Sequence, residues 1–373
     1  MTGEECEQDR EAVRIQWREA IGAAGSCLLR SAVVEVPANS SGWVDGGVDL
    51  NIGEAVTLLA AGKVLTQLPG IGFGANMFLW HRIGTDGPIA KFPASTQSFE
   101  ARQAGRLMLV AQFPGAWLDQ AGGLAPDWPR QAAGGSFTVA VLVWKDRAED
   151  GLALFAAKDR SGYAAAEFAR FTDPVQAPKG WQHLWRVGES GVYKDVPGNV
   201  QGRAPGTAAA PRIACRCRGG GGILKYPVDL PLDGSTRLSW LWRVIELPSQ
   251  VAEDSLPTHD YLSIAVEFDN GQDLTYLWSA ALAVGMVFRC PLPWWDKHET
   301  HQVIRCGTAE LGQWRREDQP VLADYAKAIG GTPPARIVGV WLIAVAAFQG
   351  GRGDCEYREI RLGGGAGGID IGP

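Results

Sequence analysis

From residue 27 onward the chain reads as a series of strand-length segments, each bounded by a turn signal. Side chains on a strand alternate between faces, so apolar residues at every second position mark a half-buried strand. "TRLSWLWRVIELP" puts Leu238, Trp240, Trp242 and Val244 on one face and Arg243 on the other. "DYLSIAVEF" puts Leu262, Ile264, Val266 and Phe268 on one face, with Tyr261, Ser263, Ala265 and Glu267 opposite. In "DLTYLWSA", Tyr276 and Trp278 point one way and Thr275, Leu277 and Ser279 the other. An Asn-Gly pair between these two segments is a hairpin signal. "IVGVWLIAVAAF", Ile337 to Phe348, is apolar throughout. It is too short to span a bilayer and fits a strand buried on both faces. With 48 glycines spread along the chain, this pattern predicts an all-β fold.

A chain of 373 residues, 46% hydrophobic, is long enough for two cores. Residues 1–26 read as an N-terminal helix, with Val13, Trp17, Ala20, Ile21 and Ala24 on one face and Gly22 and Gly25 at its end. Residues 27–145 hold the first set of strands, among them "CLLRSAVVEVP", "RLMLVAQFP" and "GSFTVAVLVW". Residues 146–180 read as a linker, in which "SGYAAAEFARF" suggests a short helix. Residues 181–373 form a second strand-rich domain. Its one clear helix is expected in "EDQPVLADYAKAIGG", Glu317 to Gly331. The predicted architecture is thus two β-sandwich, jelly-roll-like domains, a short N-terminal helix, and one helix in the second domain.

The segments "SGWVDGGVDLNIGEAVTLLAAGKV", "FLWHRIG" and "GGSFTVAVLVW" resemble the PA-I-type galactophilic lectins. That resemblance implies a jelly roll in the N-terminal third. It also implies a loop before the closing strand in which aspartate, threonine and paired asparagines hold calcium and sugar. Here the loop supplies Asp119 and Asp127 but no asparagine pair. Calcium takes six to eight oxygen ligands, so the expectation is the fold without tight calcium. The C-terminal half resembles the bacterial domain-of-unknown-function family 3047. The residues that carry this are "LSWLWRVIELP", "HDYLSIAVEF", "DLTYLWSA" and "LGQWRREDQPVLADYAKAIGGTPPARIVGVWLIA". It implies a sandwich and no particular chemistry.

The net charge is -6 and there is no dense basic run, which argues against a nucleic-acid partner. "RIACRCR" is an amphipathic strand, with Ile213, Cys215 and Cys217 on one face. The seven cysteines show no disulfide framework, and the charged N-terminus has no apolar signal core. The expectation is seven free thiols, a cytoplasmic protein, no membrane partner, and a homo-oligomer left open.

Candidate site residues cluster in and around the "HDYLSIAVEF" strand. His259 is a candidate acid or base, with Asp260 or Glu267 as its partner. His301 is a second candidate. His298 and His301 are three apart, but "ETHQVIRC" reads as a strand, on which Glu299 and His301 share a face instead. No third ligand is evident, so no metal and no cofactor are expected. Arg243 and Arg305 are candidate anion clamps, with Glu267 a possible partner for Arg243. Trp242, Tyr276, Trp278, Trp294 and Trp295 are candidate substrate walls. The expected cleft, in the second domain or at its junction with the first, is lined by His259, Glu267, Tyr276 and Trp278. Two readings follow: a cofactor-independent acid–base enzyme (lyase, isomerase or hydrolase) on a small organic or sugar-like substrate, or a non-catalytic carbohydrate or small-ligand binding protein.

Overall fold

The computed structural model describes residues 3–65, 72–113, 119, 122–126, 130–172, 176–187, 192–198, 210–292, 295–364 and 367–372. The chain is mostly β and divides into two compact units. One is Met1–Val175 with Val187–Glu189; the other is Gln176–Arg186 with Ser190–Pro373.

The first unit has two antiparallel sheets. One runs in the order Leu28–Pro37, Gly134–Trp144, Ala55–Leu65, Gly72–Phe73, and Thr96–Glu100 also pairs with Ala55–Leu65. The other runs Val44–Leu50, Gly105–Ala111, Leu79–Ile83, Ala90–Lys91. The Gly134–Trp144 strand is buried on both faces. Ala140, Leu142 and Trp144 meet the helical layer, and the alternate Val139, Val141 and Val143 are buried too. The N-terminal helix, Gly3–Ala23, docks on this sheet through Trp17 and Ala20, the stripe its periodicity predicts.

The segment expected as a linker folds onto this unit as two helices, Ala148–Ala156 and Tyr163–Thr172. Leu152, Phe155 and Ala164 join the core around Trp17. Gly151 permits the close approach: a Cβ there would lie 2.2 Å from the Trp144 ring. The calcium loop implied by the lectin resemblance lies partly outside the described residues, Asp127 included. Asp119 accepts the Gly123 N–H at 2.9 Å.

The second unit is a sandwich of a seven-stranded and a six-stranded sheet. The larger runs Gln182–Val187, Gly221–Pro231, Arg336–Val345, Tyr261–Phe268, Asp273–Ser279, Glu299–Cys306, Val287–Arg289. The smaller runs Tyr193–Val196, Arg212–Arg218, Arg352–Gly364, Arg237–Glu246, Arg315–Pro320, with Gly367–Asp370 also paired to Arg352–Gly364. The core between the sheets takes Leu262, Ile264, Val266 and Phe268 from one side and Trp240, Trp242, Val244, Cys215 and Tyr357 from the other. The helix expected from Glu317 begins only at Val321, because Arg315–Pro320 is an edge strand. Pro320, last in that strand, is the N-cap.

One pairing decides where the chemistry sits. Asp273–Ser279 and Glu299–Cys306 run parallel. A parallel pair needs a crossover, not a tight turn. The intervening segment, 280–298, supplies it, and on the way adds Val287–Arg289 as the edge strand, antiparallel to Glu299–Cys306.

Among the described residues, no helix is long and apolar enough to cross a membrane. Cys27, Cys215, Cys217, Cys290, Cys306 and Cys355 are free thiols; the Cys6 side chain lies outside the described set.

Candidate functional site

The outer face of the seven-stranded sheet, away from the inter-sheet core, is where the ionisable groups gather. Register places Thr275 opposite His301, Asp273 opposite Glu299, and Phe288 opposite His301. Glu299 and His301 are two apart on one strand and so share this face. Cys290 follows the edge strand and donates its N–H to the Glu299 carbonyl. His259 arrives from the 3₁₀ turn before Tyr261–Phe268.

The four side chains of His259, Cys290, Glu299 and His301 each offer a donor atom, and these atoms all lie within 4.8 Å of one another. Cys290 Sγ is 3.5 Å from His259 Nε2. His301 Nε2 is 3.4 Å from Glu299 Oε1, but not aligned as a hydrogen bond, and among the described residues neither ring nitrogen of His301 has a hydrogen-bond partner. His259 is fixed through its other nitrogen: Nδ1 lies 3.0 Å from the Glu253 carbonyl and donates to it. Tyr261 donates its hydroxyl to Glu299 Oε1 at 3.0 Å. The Phe288 ring stacks on His301 at 4.8 Å.

All four residues are buried, His301 completely. Burial alone holds the His259 imidazolium pKa down to about 4. It lowers that of His301 well below the usual value, with neighbouring His259 adding to the effect. Burial, then the nearby Glu299 carboxylate, raises the Cys290 thiol. Burial also raises the Glu299 and Asp273 carboxyls. In so dry a place a charge persists only beside an opposite one.

The structure thus brings His259 and His301 together and scatters the other expected site residues. Asp260 is buried, but its carboxylate accepts the backbone N–H groups of Phe348 and Gln349 at 3.0 and 2.7 Å. Glu267 is half-buried, paired with Lys225 and accepting the Trp341 indole N–H. Tyr276 and Trp278 do not line a cleft. They stand opposite Ile264 and Leu262 in register, so they share the face of the inter-sheet core and are fully buried there. Trp242 faces the same core and donates to Glu317. Arg243 pairs with Glu356, not Glu267, and lies over the Trp314 ring. Arg305 is bracketed by Glu310 and Glu317. Trp295 sits in a 3₁₀ turn, and Trp294 lies outside the described residues. His298 is exposed in the turn before the Glu299–Cys306 strand and meets the Gly271 carbonyl, whereas His301 is buried. Cys290 was missed because its only sequence signal is a thiol nine residues before Glu299; the crossover makes them neighbours.

A cavity of about 490 Å³ opens elsewhere in this unit, lined by Lys179, Gly180, Asp195, Val196, Pro197, Pro211, Tyr226, Asp370, Ile371 and Gly372. It lies at one margin of the sandwich. Trp181 and Tyr226 belong to the seven-stranded side, Asp195 and Asp370 to the six-stranded side. Trp181 holds Tyr226 edge to face at 5.5 Å. Gly180, at φ 85°, lets the chain pass the Tyr226 ring where a Cβ would come within 2.6 Å of it. Asp195 accepts the Lys179 backbone N–H at 2.9 Å, and Asp370 keeps an exposed carboxylate.

Residues 207–361 match the family model DUF3047, described as a protein of unknown function. No curated protein matches the chain. Among solved structures, the N-terminal domain of EclA, described as a PllA-like lectin, is 20% identical. The match covers 32% of this chain and 98% of that one, with a TM-score of 0.24. The xyloglucanase domain of NopAA, a type three effector from Sinorhizobium fredii in complex with cellobiose, is 11% identical over 51% of this chain and 100% of that one, TM-score 0.29. The family 11 carbohydrate-binding module of the cellulosomal cellulase Lic26A-Cel5E of Clostridium thermocellum is 12% identical over 51% of this chain and 91% of that one, TM-score 0.25. Both resemblances read from the sequence reappear in these matches. At TM-scores of this size, none of the solved structures carries a site or an activity over to this chain.

Proposed function

We propose that the second unit binds a neutral, saccharide-like polyhydroxyl ligand in the cavity beside Tyr226, without turning it over. The observation that carries this reading is the cavity itself. Its size falls in the range of small-ligand sites. Its lining joins one braced aromatic ring to two carboxylates and an ammonium group. Sugar hydroxyls donate well to carboxylates, and the apolar face of a pyranose packs on an aromatic ring. The groups an acid–base enzyme would use, His259 and His301, are buried on the outer face of the sheet and are not in this lining. Binding needs no proton transfer, so their position does not weigh against it.

Calorimetric titration of the full chain with cellobiose and longer neutral oligosaccharides tests the reading. Tyr226→Ala is expected to weaken binding about tenfold, which is ~1.4 kcal/mol. Trp295→Ala, outside the cavity, should leave affinity unchanged. Undiminished binding by Tyr226→Ala would place the ligand elsewhere. Release of shorter sugars during incubation would replace binding by hydrolysis.

A further inference from the structure

We propose that His259, Cys290, Glu299 and His301 form a closed, four-ligand site for a divalent d-block ion of the zinc class, separate from the ligand cavity. Two observations and a charge argument carry this.

The first is geometry. A tetrahedral ion with zinc-like bonds to nitrogen, oxygen and sulfur holds neighbouring donor atoms about 3.3–3.8 Å apart. Two of the pairs, Cys290 Sγ to His259 Nε2 and Glu299 Oε1 to His301 Nε2, stand at 3.5 and 3.4 Å. All four donors already lie within 4.8 Å of one another, so modest side-chain closure completes a tetrahedron.

The second is an unmatched polar group. The His301 ring is fully buried, and among the described residues neither nitrogen has a hydrogen-bond partner. A buried polar group left without a partner carries its full desolvation penalty. A purely hydrogen-bonded cluster leaves that cost standing. An ion bound at Nε2 removes part of it. The other donors are already oriented from outside, as metal ligands are. The Glu253 carbonyl accepts the hydrogen bond from His259 Nδ1–H, which leaves the Nε2 lone pair facing the cluster. The Tyr261 hydroxyl fixes the Glu299 carboxylate. Phe288 packs flat on His301.

The third is charge. A dication bound by one thiolate, one carboxylate and two neutral imidazoles makes a centre of zero net charge. That is the form such a dry site tolerates. The mixed nitrogen, sulfur and oxygen donor set suits zinc and cobalt(II) rather than calcium or magnesium, which take oxygen. Four protein donors and no exposure leave no open position for a substrate water. The ion is therefore a structural clamp that ties the crossover residue Cys290 and the His259 turn to the Glu299–Cys306 strand.

The test uses the full chain. Protein purified without chelator from zinc-supplemented cells is expected to carry about one equivalent of zinc. Stripping and refilling with cobalt(II) should give the visible bands of a tetrahedral ion and a near-ultraviolet thiolate-to-cobalt band. Cys290→Ser should lose the thiolate band, and His301→Gln should lose the ion, while His298→Ala keeps both. Stripped wild type should unfold at lower temperature and recover with zinc but not with magnesium; this readout does not depend on any variant folding. A chain that takes up neither zinc nor cobalt overturns the proposal. So does a thiolate band that survives in Cys290→Ser, or an ion lost in His298→Ala.

Discussion

The two faces of the Tyr261–Phe268 and Asp273–Ser279 strands are both buried, yet they are made of opposite materials. The inner face is Leu262, Ile264, Val266, Leu274, Tyr276 and Trp278, packed against the tryptophans of the facing sheet. The outer face mixes the polar Tyr261, Ser263, Asp273, Thr275 and Ser279 with Ala265 and Leu277, and continues into Glu299 and His301. On the inner face, stability comes from area removed from water and is indifferent to small solutes. On the outer face, burial costs free energy until each polar group finds a partner. The lesson is that strand alternation separates two faces without saying that the polar one is wet. Here it is dry, and a dry polar face depends on its hydrogen bonds or on an ion.

The comparison breaks most visibly at a large inner side chain. Trp278 packs against Trp242 with the rings tilted and their centroids 5.5 Å apart, and donates to the Gly307 carbonyl at 2.9 Å. Trp278→Ala is expected to cost about 3–5 kcal/mol. Urea unfolding should show the same loss in stripped and zinc-loaded protein. A loss that depended on zinc would mean the two faces are not energetically separate.

The outer face should behave in the opposite way. Glu299→Gln keeps the shape and still accepts the Tyr261 hydroxyl, but removes the anionic ligand. With zinc at a thousandfold excess over its dissociation constant, the bound ion stabilises the native state by about 4 kcal/mol. Most of that should vanish in the variant. In stripped protein the same change should cost no more than about 1–2 kcal/mol. Unfolding curves at two zinc concentrations measure the difference. Equal losses at both concentrations would make Glu299 an ordinary hydrogen-bonding residue.

Much of this organisation was legible in the sequence because it follows from local periodicity. The inner set Leu262 to Phe268, the Ile213-Cys215-Cys217 face and the Trp17 helix stripe all fall where the repeat of 2 or 3.6 puts them. Glu299 and His301 sharing a face is also a period-two inference. What alternation within one strand does not supply is register between strands. Alternation alone leaves open whether Tyr276 and Trp278 share a face with Glu267. Pairing with Ile264 and Leu262 puts them in the core. The Cys290–Glu299 contact was equally hidden, since it arises from a parallel pair and its crossover. Of the two helices at 148–172, "SGYAAAEFARF" suggests the second, whereas the first, Ala148–Ala156, is too short an apolar signal to stand out from a linker. Their burial depends on Trp17 and Trp144, which lie far away in sequence.

The smallest expected effect lies at the edge of the outer face, where Glu267 stands opposite Asp273 in register. Unlike His301, Glu267 keeps about a quarter of its side chain exposed, as does its partner Lys225. Solvent therefore screens the pair, and such ion pairs contribute about 0.2–1 kcal/mol. Glu267→Gln retains an acceptor for the Trp341 indole N–H and loses only the charge. A double-mutant cycle with Lys225→Met should give a coupling inside that range, falling as salt is raised. The variant should bind zinc and saccharide as the parent does, because Glu267 belongs to neither site. A cost above about 3 kcal/mol would be of the size seen when a buried ion pair is broken. It would mean that Glu267 acts through Asp273 on the buried cluster, and that the dry polar region extends across the whole outer face instead of stopping at Asp273.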